Sequence, residues 1–512
     1  NPPFMFDLLA RLDQPVAAPV DQSAEPAALV GQLGEIKAQL QILASAWLAG
    51  QWEQMQPVLA DLAKAQADLS RAMAYDWWGY SYRAGGKPEK AVEILDQGLA
   101  VAVDYLPLAV ERGLAYFELQ QYRQAITDFD RLLEVKPSAS NLPPWAMIYH
   151  SRGLAYSQLA DYLRAIDDFN QTIRLDADNA AAYYERGRAL AAQGEHDRAI
   201  EDYDQAIKLN PDDATTAYYY RGLAYADQAN PARAIDDFSR AIELQPAYAA
   251  AFHQRGLAYL GQNDKDKAIA DFSRAIELQP SPPADHYRRR GLAFMEQGSL
   301  PQAMADFDQA IRLDPADVLS YFNLGLAYLR QGDPRRAIRN FDRALEQPAG
   351  QAEDFLATAF FQRGLAYAQP PLADYGRAIE NYNQALQLTP KSEALLFQRG
   401  LAYAHQGNDT QAIQNYDQAI HLNPQNAAAF YRRGVAYSRQ QKFGRAIEDF
   451  DQAIQLATGE KKEEVQATAE AQADETTRPV SPAPAAVQAL LSPEELSRLF
   501  NERGYAQLQL GP

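Results

Sequence analysis

Apolar residues recur at intervals of three and four along most of this chain, which is the pattern of helices that bury one face. The stretch at residues 249–280 contains two such apolar stripes, namely Phe252, Gly256 and Tyr259 followed by Ala268, Phe272 and Ala275. Asn263 and Asp264 lie between the stripes and predict a turn. Pro280 predicts the end of the second helix, because proline interrupts a helical hydrogen-bond ladder. The stretch therefore predicts a hairpin of two helices.

Close copies of this hairpin recur through most of the sequence. Each copy has a glycine in a box that reads RGLAY or a near variant, and successive glycines are 34 to 40 residues apart. The glycines are Gly79, Gly113, Gly153, Gly187, Gly222, Gly256, Gly291, Gly325, Gly364, Gly400 and Gly434. A single hairpin cannot bury both of its faces, so neighbouring copies must stack on one another. The expected fold class is all-α, a solenoid of antiparallel helix pairs.

The copies resemble the tetratricopeptide repeat (TPR), which has an aromatic residue, Gly, Tyr, Ala, Phe or Tyr, Ala and Pro at the same spacing. The resemblance covers about residues 71–456. It implies a right-handed superhelical solenoid and a non-catalytic scaffold that mediates protein–protein interaction. The chain departs from the family's usual pattern at two positions, with arginine in place of leucine before the glycine and leucine in place of asparagine after it.

The domain organisation follows from where the repeat pattern starts and stops. Residues 1–26 predict an apolar arm and linker, 27–69 a helical pair that acts as a cap or degenerate repeat, 70–457 eleven TPR units, 458–491 a charged and Pro/Ala-rich insertion, and 492–512 a half-repeat helix. The last segment has the first helix of a repeat, and no second helix follows it. We therefore expect one elongated body with an incomplete unit at its C-terminal end.

The two ends predict a route to head-to-tail self-assembly. A solenoid normally covers its terminal apolar faces with polar capping helices. One arrangement is that each end folds back on its own array. The alternative is that the N-terminal arm of one molecule completes the half unit of the next, in a contact that propagates into a filament or closes into a ring. The residues of this second contact are Phe4, Phe6, Leu8 and Leu9 of one molecule with Gly504 and Tyr505 of the next.

A second candidate binding surface is the concave groove that the resemblance implies along the first helices. In the family, residues three before and one after the glycine line this groove. The candidates here are Tyr184, Tyr219, His253, Leu257, Phe322, Phe361, Phe397 and Tyr431. Chaperone-docking relatives bind a terminal carboxylate with Lys and Asn at these positions, and because neither is present that clamp is not expected. The residues favour an apolar peptide, an amphipathic helix or the protein's own tail as the ligand. Packing between neighbouring helices is the alternative.

The arginine before the glycine has an acidic residue fifteen positions after that glycine in most copies, as in Arg112 with Asp128. Where Leu324 replaces the arginine, Asn340 replaces the acid, as a contact pair would require. The two exceptions are Arg363 with Asn381 and Arg399 with Asn415. We therefore favour a ladder of structural contacts over an anion site.

Composition excludes several classes of function. The net charge of −19 argues against nucleic acid and anionic membrane surfaces, because binding to phosphates depends on Lys and Arg. There is no cysteine, and the six histidines are scattered without metal-ligand spacing. No catalytic motif is present, so we expect no enzyme activity, no cofactor and no metal. No apolar run approaches the roughly 18 to 20 residues of a membrane span. The expected partner is a protein or peptide, or further copies of the chain.

The compartment is left open by the sequence. The chain begins at Asn1, which fits the removal of a secretory signal and fits a shortened chain equally well. A secreted or periplasmic location is therefore not distinguished from a cytoplasmic one.

Overall fold

The computed structural model describes residues 68–134, 145–346, 352–459 and 493–510. Within these ranges the chain forms 23 α-helices and one short 3₁₀ turn, with no strand. The predicted N-terminal arm, nearly all of the predicted N-terminal pair and most of the predicted insertion lie outside the described residues. The chain divides into two compact units, residues 1–258 and residues 259–512.

The described residues of unit 1 form five helix pairs and most of a further helix. These helices are α1 (Asp68–Ala84), α2 (Pro88–Val101), α3 (Leu106–Glu118), α4 (Tyr122–Glu134), α5 (Trp145–Gln158), α6 (Tyr162–Leu175), α7 (Ala180–Ala192), α8 (His196–Leu209), α9 (Thr215–Asp227), α10 (Pro231–Leu244) and α11 (Ala249–Gly261). Odd-numbered helices are the first helices of the pairs and carry the RGLAY box; even-numbered helices are the second helices.

Unit 2 continues the same alternation. Its helices are α12 (Lys265–Glu277), α13 (Ala284–Gln297), α14 (Leu300–Leu313), α15 (Val318–Gln331), α16 (Pro334–Leu345), α17 (Glu353–Ala368), α18 (Tyr375–Leu388), α19 (Glu393–His405), α20 (Asp409–Leu422), α21 (Ala427–Arg439), α22 (Phe443–Thr458) and α23 (Pro493–Leu510). Within each unit, the helices of a pair contact each other, and a second helix also contacts the first helix of the next pair. This stacking confirms the predicted all-α array of helix pairs.

The glycine of the RGLAY box lies where the two helices of a pair approach most closely. A Cβ atom on Gly222 would lie 2.7 Å from Cε1 of Phe238, and one on Gly325 would lie 2.6 Å from Cε1 of Phe341. Both rings are fully buried. A larger residue at the glycine would therefore displace the ring that fills the centre of the pair.

The turns between the helices of a pair also follow the sequence prediction. Asn263 has a φ of 62°, and the side chain of Asp264 accepts a hydrogen bond of 3.2 Å from the backbone N–H of Lys267. Asn and Asp tolerate the left-handed region and cap helix N-termini better than most residues. Second helix α12 ends at Glu277, shortly before Pro280.

The arginine before the glycine links helices in two directions. In a complete copy, Nε and Nη2 of Arg290 donate to the two carboxylate oxygens of Asp306 at 2.8 and 2.7 Å, which confirms the contact predicted within the pair. The same bidentate contact occurs in Arg112–Asp128, Arg152–Asp168, Arg186–Asp202, Arg221–Asp237 and Arg433–Asp449. The sequence did not predict the second link, in which Nη1 reaches the preceding second helix, as Arg152 reaches Asp130 at 2.6 Å. We call this series of contacts the arginine ladder.

Candidate protein-binding surfaces

The residues predicted to line the groove lie on first helices of both units, and they are packing residues. Each aromatic ring of the set lies beside the ring of the second helix of its own pair. The ring-centroid distances are 6.2 Å for Tyr184–Tyr203, 5.8 Å for Tyr219–Phe238, 5.8 Å for Phe322–Phe341, 6.0 Å for Phe361–Tyr382, 5.9 Å for Phe397–Tyr416 and 6.2 Å for Tyr431–Phe450. His253 and Tyr431 are buried, and Leu257 is partly buried. These residues therefore complete helix pairs, and their role in binding a ligand stays a prediction.

A cavity of about 500 Å³ opens on unit 1 among first helices α5, α7 and α9. Its border includes Gln158, Tyr162, Arg188, Tyr203, Tyr220 and Asp227. Small side chains on α7, such as Ala189 and Ala192, leave the space that the cavity occupies. We call it the Arg188 cavity.

Arg188 is held at the cavity by two aromatic rings and one carboxylate. Its guanidinium carbon lies 5.2 Å from the ring centroid of Tyr220 and 5.8 Å from that of Tyr184, within cation–π range. Nη1 of Arg188 donates to Oε2 of Glu185 at 3.0 Å. Burial raises the pKa of Glu185, because a desolvated carboxylate is harder to ionise. The cavity thus combines apolar walls with a paired cation and anion, and the Arg188 side chain keeps 40% of its surface exposed.

Tyr203 adds a polar group to the same cavity. The residue is fully buried, and its hydroxyl has no hydrogen-bond partner among the described residues. A buried polar group without a partner costs roughly 1 to 3 kcal/mol, which a ligand atom or a water molecule can offset by hydrogen bonding. Tyr382 and Tyr416 occupy the same position in their pairs, and their hydroxyls also have no hydrogen-bond partner in the described part of the chain, so this feature alone does not define a site.

The prediction from sequence missed Arg188, although a signal for it exists. At the position after the glycine, Arg188 is the only basic residue, because every other copy has Leu, Val or Tyr there. Two residues further on, Leu190 stands where the other ten full copies have Tyr or Phe. A comparison of the copies with one another, rather than with the family, would have singled out this pair of helices.

The C-terminal helix α23 packs on α22 and α21 of its own unit. Leu499 and Ala506 are fully buried, and Nε of Arg503 donates to Oδ1 of Asp451 at 2.6 Å. At this end the helix folds back on its own array, which is the alternative that the sequence left open. The outer side of α23 is exposed instead, since Tyr505 and Leu508 are 53% and 81% exposed.

Gly504 on the same helix lacks the contact with a ring that most of the other repeat glycines make. No atom of the described residues lies within 4 Å of the position that its Cβ would take. The residues expected to cover it from another molecule, Phe4, Phe6, Leu8 and Leu9, lie outside the described residues. Gly504 and Tyr505 therefore remain a predicted contact surface.

In the described ranges, no three His, Asp or Glu side chains converge in an arrangement that could hold a metal ion. None of the helices in these ranges has both the length and the apolar character that a bilayer crossing requires.

Comparison with family models identifies the repeats individually. A model described as TPR repeat matches residues 187–228, 291–332, 374–407 and 400–441. Models described as tetratricopeptide repeat match residues 107–138, 146–179, 215–248, 249–282, 318–347 and 427–457. Together these matches cover more than half of the chain.

Solved structures with similar folds include three that share little sequence with this chain. The APC/C hetero-tetramer Cut9–Hcn1 has 15% identity and a TM-score of 0.39, covering 80% of this chain and 99% of that chain. The human IFIT1 dimer with PPP-AAAA has 17% identity and a TM-score of 0.35, covering 80% and 95%. A tetratricopeptide repeat protein from Parabacteroides merdae has 18% identity and a TM-score of 0.38, covering 50% and 98%. No curated protein matches the chain significantly.

Proposed function

The chain belongs to the tetratricopeptide repeat family, and we propose that it is a non-catalytic scaffold that binds a segment of a partner protein at the Arg188 cavity. The observation that carries this proposal is the cavity itself, where one copy of the repeat departs from the others and leaves about 500 Å³ of open space. The partner is a protein or peptide, and the net charge of −19 disfavours nucleic acid.

The size and chemistry of the cavity support a peptide ligand. Ligand pockets typically measure roughly 300 to 1,000 Å³ and combine apolar walls with a few polar groups that fix orientation. Here the walls come from Tyr162, Tyr220 and Leu223, whereas Arg188 and Glu185 supply a donor and an acceptor. A peptide offers matching groups, because its side chains are apolar in part and each backbone amide both donates and accepts.

Blocking the cavity tests this function. Ala192 is exposed and borders the cavity, so Ala192→Trp places a large ring in the opening without disturbing the core. Ala181→Trp is the matched control, because Ala181 is exposed on the same helix and does not border the cavity. Peptides selected from a random display library on the full-length chain serve as probes, and fluorescence anisotropy measures their affinity. We expect Ala192→Trp to weaken binding about tenfold or more, which corresponds to about 1.4 kcal/mol. Equal affinity for the two variants would disprove the site.

We propose self-assembly through α23 as a second function, which the exposed Tyr505 and Leu508 favour. In most other copies, the side of the first helix that carries the glycine is covered by an aromatic ring of a second helix. A second copy of the chain that covers Gly504 in the same way would bury both apolar side chains. The contact is heterologous, since the outer side of α23 meets a different surface of its neighbour.

Native mass tests the self-assembly. Light scattering of the full chain over a wide concentration range should show a rising mass, and Tyr505→Ser combined with Leu508→Ser should keep the mass at that of one chain. Leu163→Ser is the control, because Leu163 is an exposed apolar residue of unit 1 at 69% exposure. A wild-type chain that stays monomeric at every concentration would refute the assembly.

A further inference from the structure

In the arginine ladder a guanidinium normally donates to one or two carboxylates. Nε and Nη2 of Arg433 donate to the two oxygens of Asp449 at 2.8 and 2.6 Å, and Nη1 donates to Asp417 at 2.7 Å. These contacts neutralise a partly buried cation and occupy all three of its nitrogens. Bidentate arginine–carboxylate contacts of this kind are among the stronger hydrogen-bonded pairs in proteins.

Arg399 occupies the same position and has no carboxylate partner among the described residues. Its Nε donates to Oδ1 of Asn415 at 2.7 Å, and its Nη1 donates to Oδ1 of Asn383 at 2.7 Å. The amide of Asn415 is oriented by its own Nδ2, which donates to the carbonyl oxygen of Gln411 at 2.8 Å. Both partners of Arg399 are therefore neutral.

The remaining nitrogen of Arg399 distinguishes this residue further. Asn415 offers one acceptor where Asp449 offers two, so Nη2 of Arg399 has no hydrogen-bond partner within the described part of the chain. The other ladder arginines that have their partners in the same compact unit each donate to at least one carboxylate. These are Arg112, Arg152, Arg186, Arg221, Arg290, Arg363, Arg433 and Arg503.

The preceding arginine of the ladder also has fewer carboxylate partners than most. Arg363 also faces an asparagine in its own pair, Asn381, and its one carboxylate partner among the described residues is Asp342. Two successive ladder arginines of unit 2, Arg363 and Arg399, therefore have one carboxylate partner between them in the described part of the chain, although the net charge of the chain is −19. Burial lowers the pKa of the Arg399 guanidinium, which reflects the cost of a desolvated charge without a counter-charge.

We propose that Arg399 is an oxyanion-binding site, at which a carboxylate or phosphate oxygen accepts from Nη2 and supplies the negative charge that Asp449 supplies to Arg433. The asparagines keep Nε and Nη1 in place, so the guanidinium is oriented before the anion arrives. An aspartate at position 415 would place a carboxylate oxygen beside Nη2. Because the residue there is an asparagine, an anion from solution can take that place. The site is independent of the Arg188 cavity and goes beyond the proposed scaffold function.

Arginine modification of the full-length chain tests the site one residue at a time. Phenylglyoxal reacts with accessible guanidinium groups, and mass spectrometry of proteolytic fragments gives the rate at each arginine. The rates are compared in chloride, phosphate and acetate at equal ionic strength. We expect phosphate at about ten times its dissociation constant to slow modification of Arg399 about elevenfold, because only the unoccupied fraction reacts. Arg433, which already has two carboxylate partners, is the internal control and should not respond.

The variant Asn415→Asp distinguishes anion binding at Arg399 from simple solvent exposure of its guanidinium. It supplies the ladder acid, so Arg399 should become as unreactive as Arg186, whose Nε and Nη2 donate to Asp202 and whose Nη1 donates to Asn170, and it should lose its response to both anions. Protection by phosphate alone or by acetate alone would support the site and identify the anion that it prefers. A rate at Arg399 that neither anion lowers would overturn the proposal, and so would equal protection of the wild type and Asn415→Asp.

Discussion

At the residue scale, the position three residues before the repeat glycine holds an aromatic ring in some copies and a histidine in others, and the ring contact with the second helix is kept. His150 lies three residues before Gly153, where Phe322 stands in its own copy, and its ring centroid is 5.6 Å from that of Phe169. Its Nδ1 is buried and has no hydrogen-bond partner among the described residues. Burial lowers the pKa of His150 from its ordinary value of 6.5, because the protonated ring would carry a charge into an apolar environment.

This shift predicts a loss of stability in acid. The unfolded chain protonates His150 near its ordinary pKa, whereas the folded chain keeps it neutral to lower pH. The unfolded state therefore binds more protons as pH falls below about 6.5, and the free energy of unfolding decreases. We expect His150→Phe to reduce the loss of stability between pH 7.5 and pH 5, as measured by urea unfolding followed by Trp fluorescence. An acid response unchanged by the substitution would contradict this explanation.

At the element scale, the close approach of the helices in a pair depends on glycine. A Cβ on Gly434 would lie 2.6 Å from Cε1 of Phe450, which is fully buried in the same pair. Gly444 lies on the other helix of that pair, and no atom of the described residues is within 4 Å of the position that its Cβ would take. The two glycines therefore differ in packing although they share one helix pair.

Alanine substitutions at these two glycines should have opposite effects. Gly434→Ala forces Phe450 away from its position, and overpacking of this kind costs roughly 1 to 3 kcal/mol. Gly444→Ala meets open space and should stabilise α22 by up to about 1 kcal/mol through helix propensity. Urea unfolding followed by circular dichroism measures both changes. Equal destabilisation by the two variants would show that the ring contact does not control the approach of the helices.

At the scale of the whole molecule, stability is distributed along the array. In a repeat protein each pair contacts mainly its neighbours, so the free energy of unfolding is a sum of local contributions. The chain also carries local reporters, because every tryptophan lies in unit 1. The tryptophans are Trp47, Trp52, Trp77, Trp78 and Trp145.

This distribution predicts that one destabilising substitution affects circular dichroism and Trp fluorescence differently. Gly434→Ala lies in unit 2, so it should lower the urea midpoint that circular dichroism reports from all helices. The midpoint of Trp fluorescence should change little. Coincident shifts of both midpoints would mean that the array unfolds in a single cooperative transition, and the local picture would be wrong.

The sequence by itself determined the repeat, the helix pair and the contacts within each pair. The glycine, the ring of the second helix and the acid of the arginine ladder recur at fixed short spacings, so Gly222 with Phe238 and Arg290 with Asp306 could be predicted. Contacts within a pair are local because a tight turn fixes how the two helices meet.

Only the tertiary structure decided which surfaces are covered between successive pairs. It showed that the ring of Phe322 contacts Phe355 of the next pair, that Nη1 of the ladder arginines reaches the preceding pair, and that a cavity opens beside Arg188. These features depend on the side chains of at least two stacked pairs at once. A helix pattern states which residues are apolar, but the exposure of each one is set by the neighbour that packs against it.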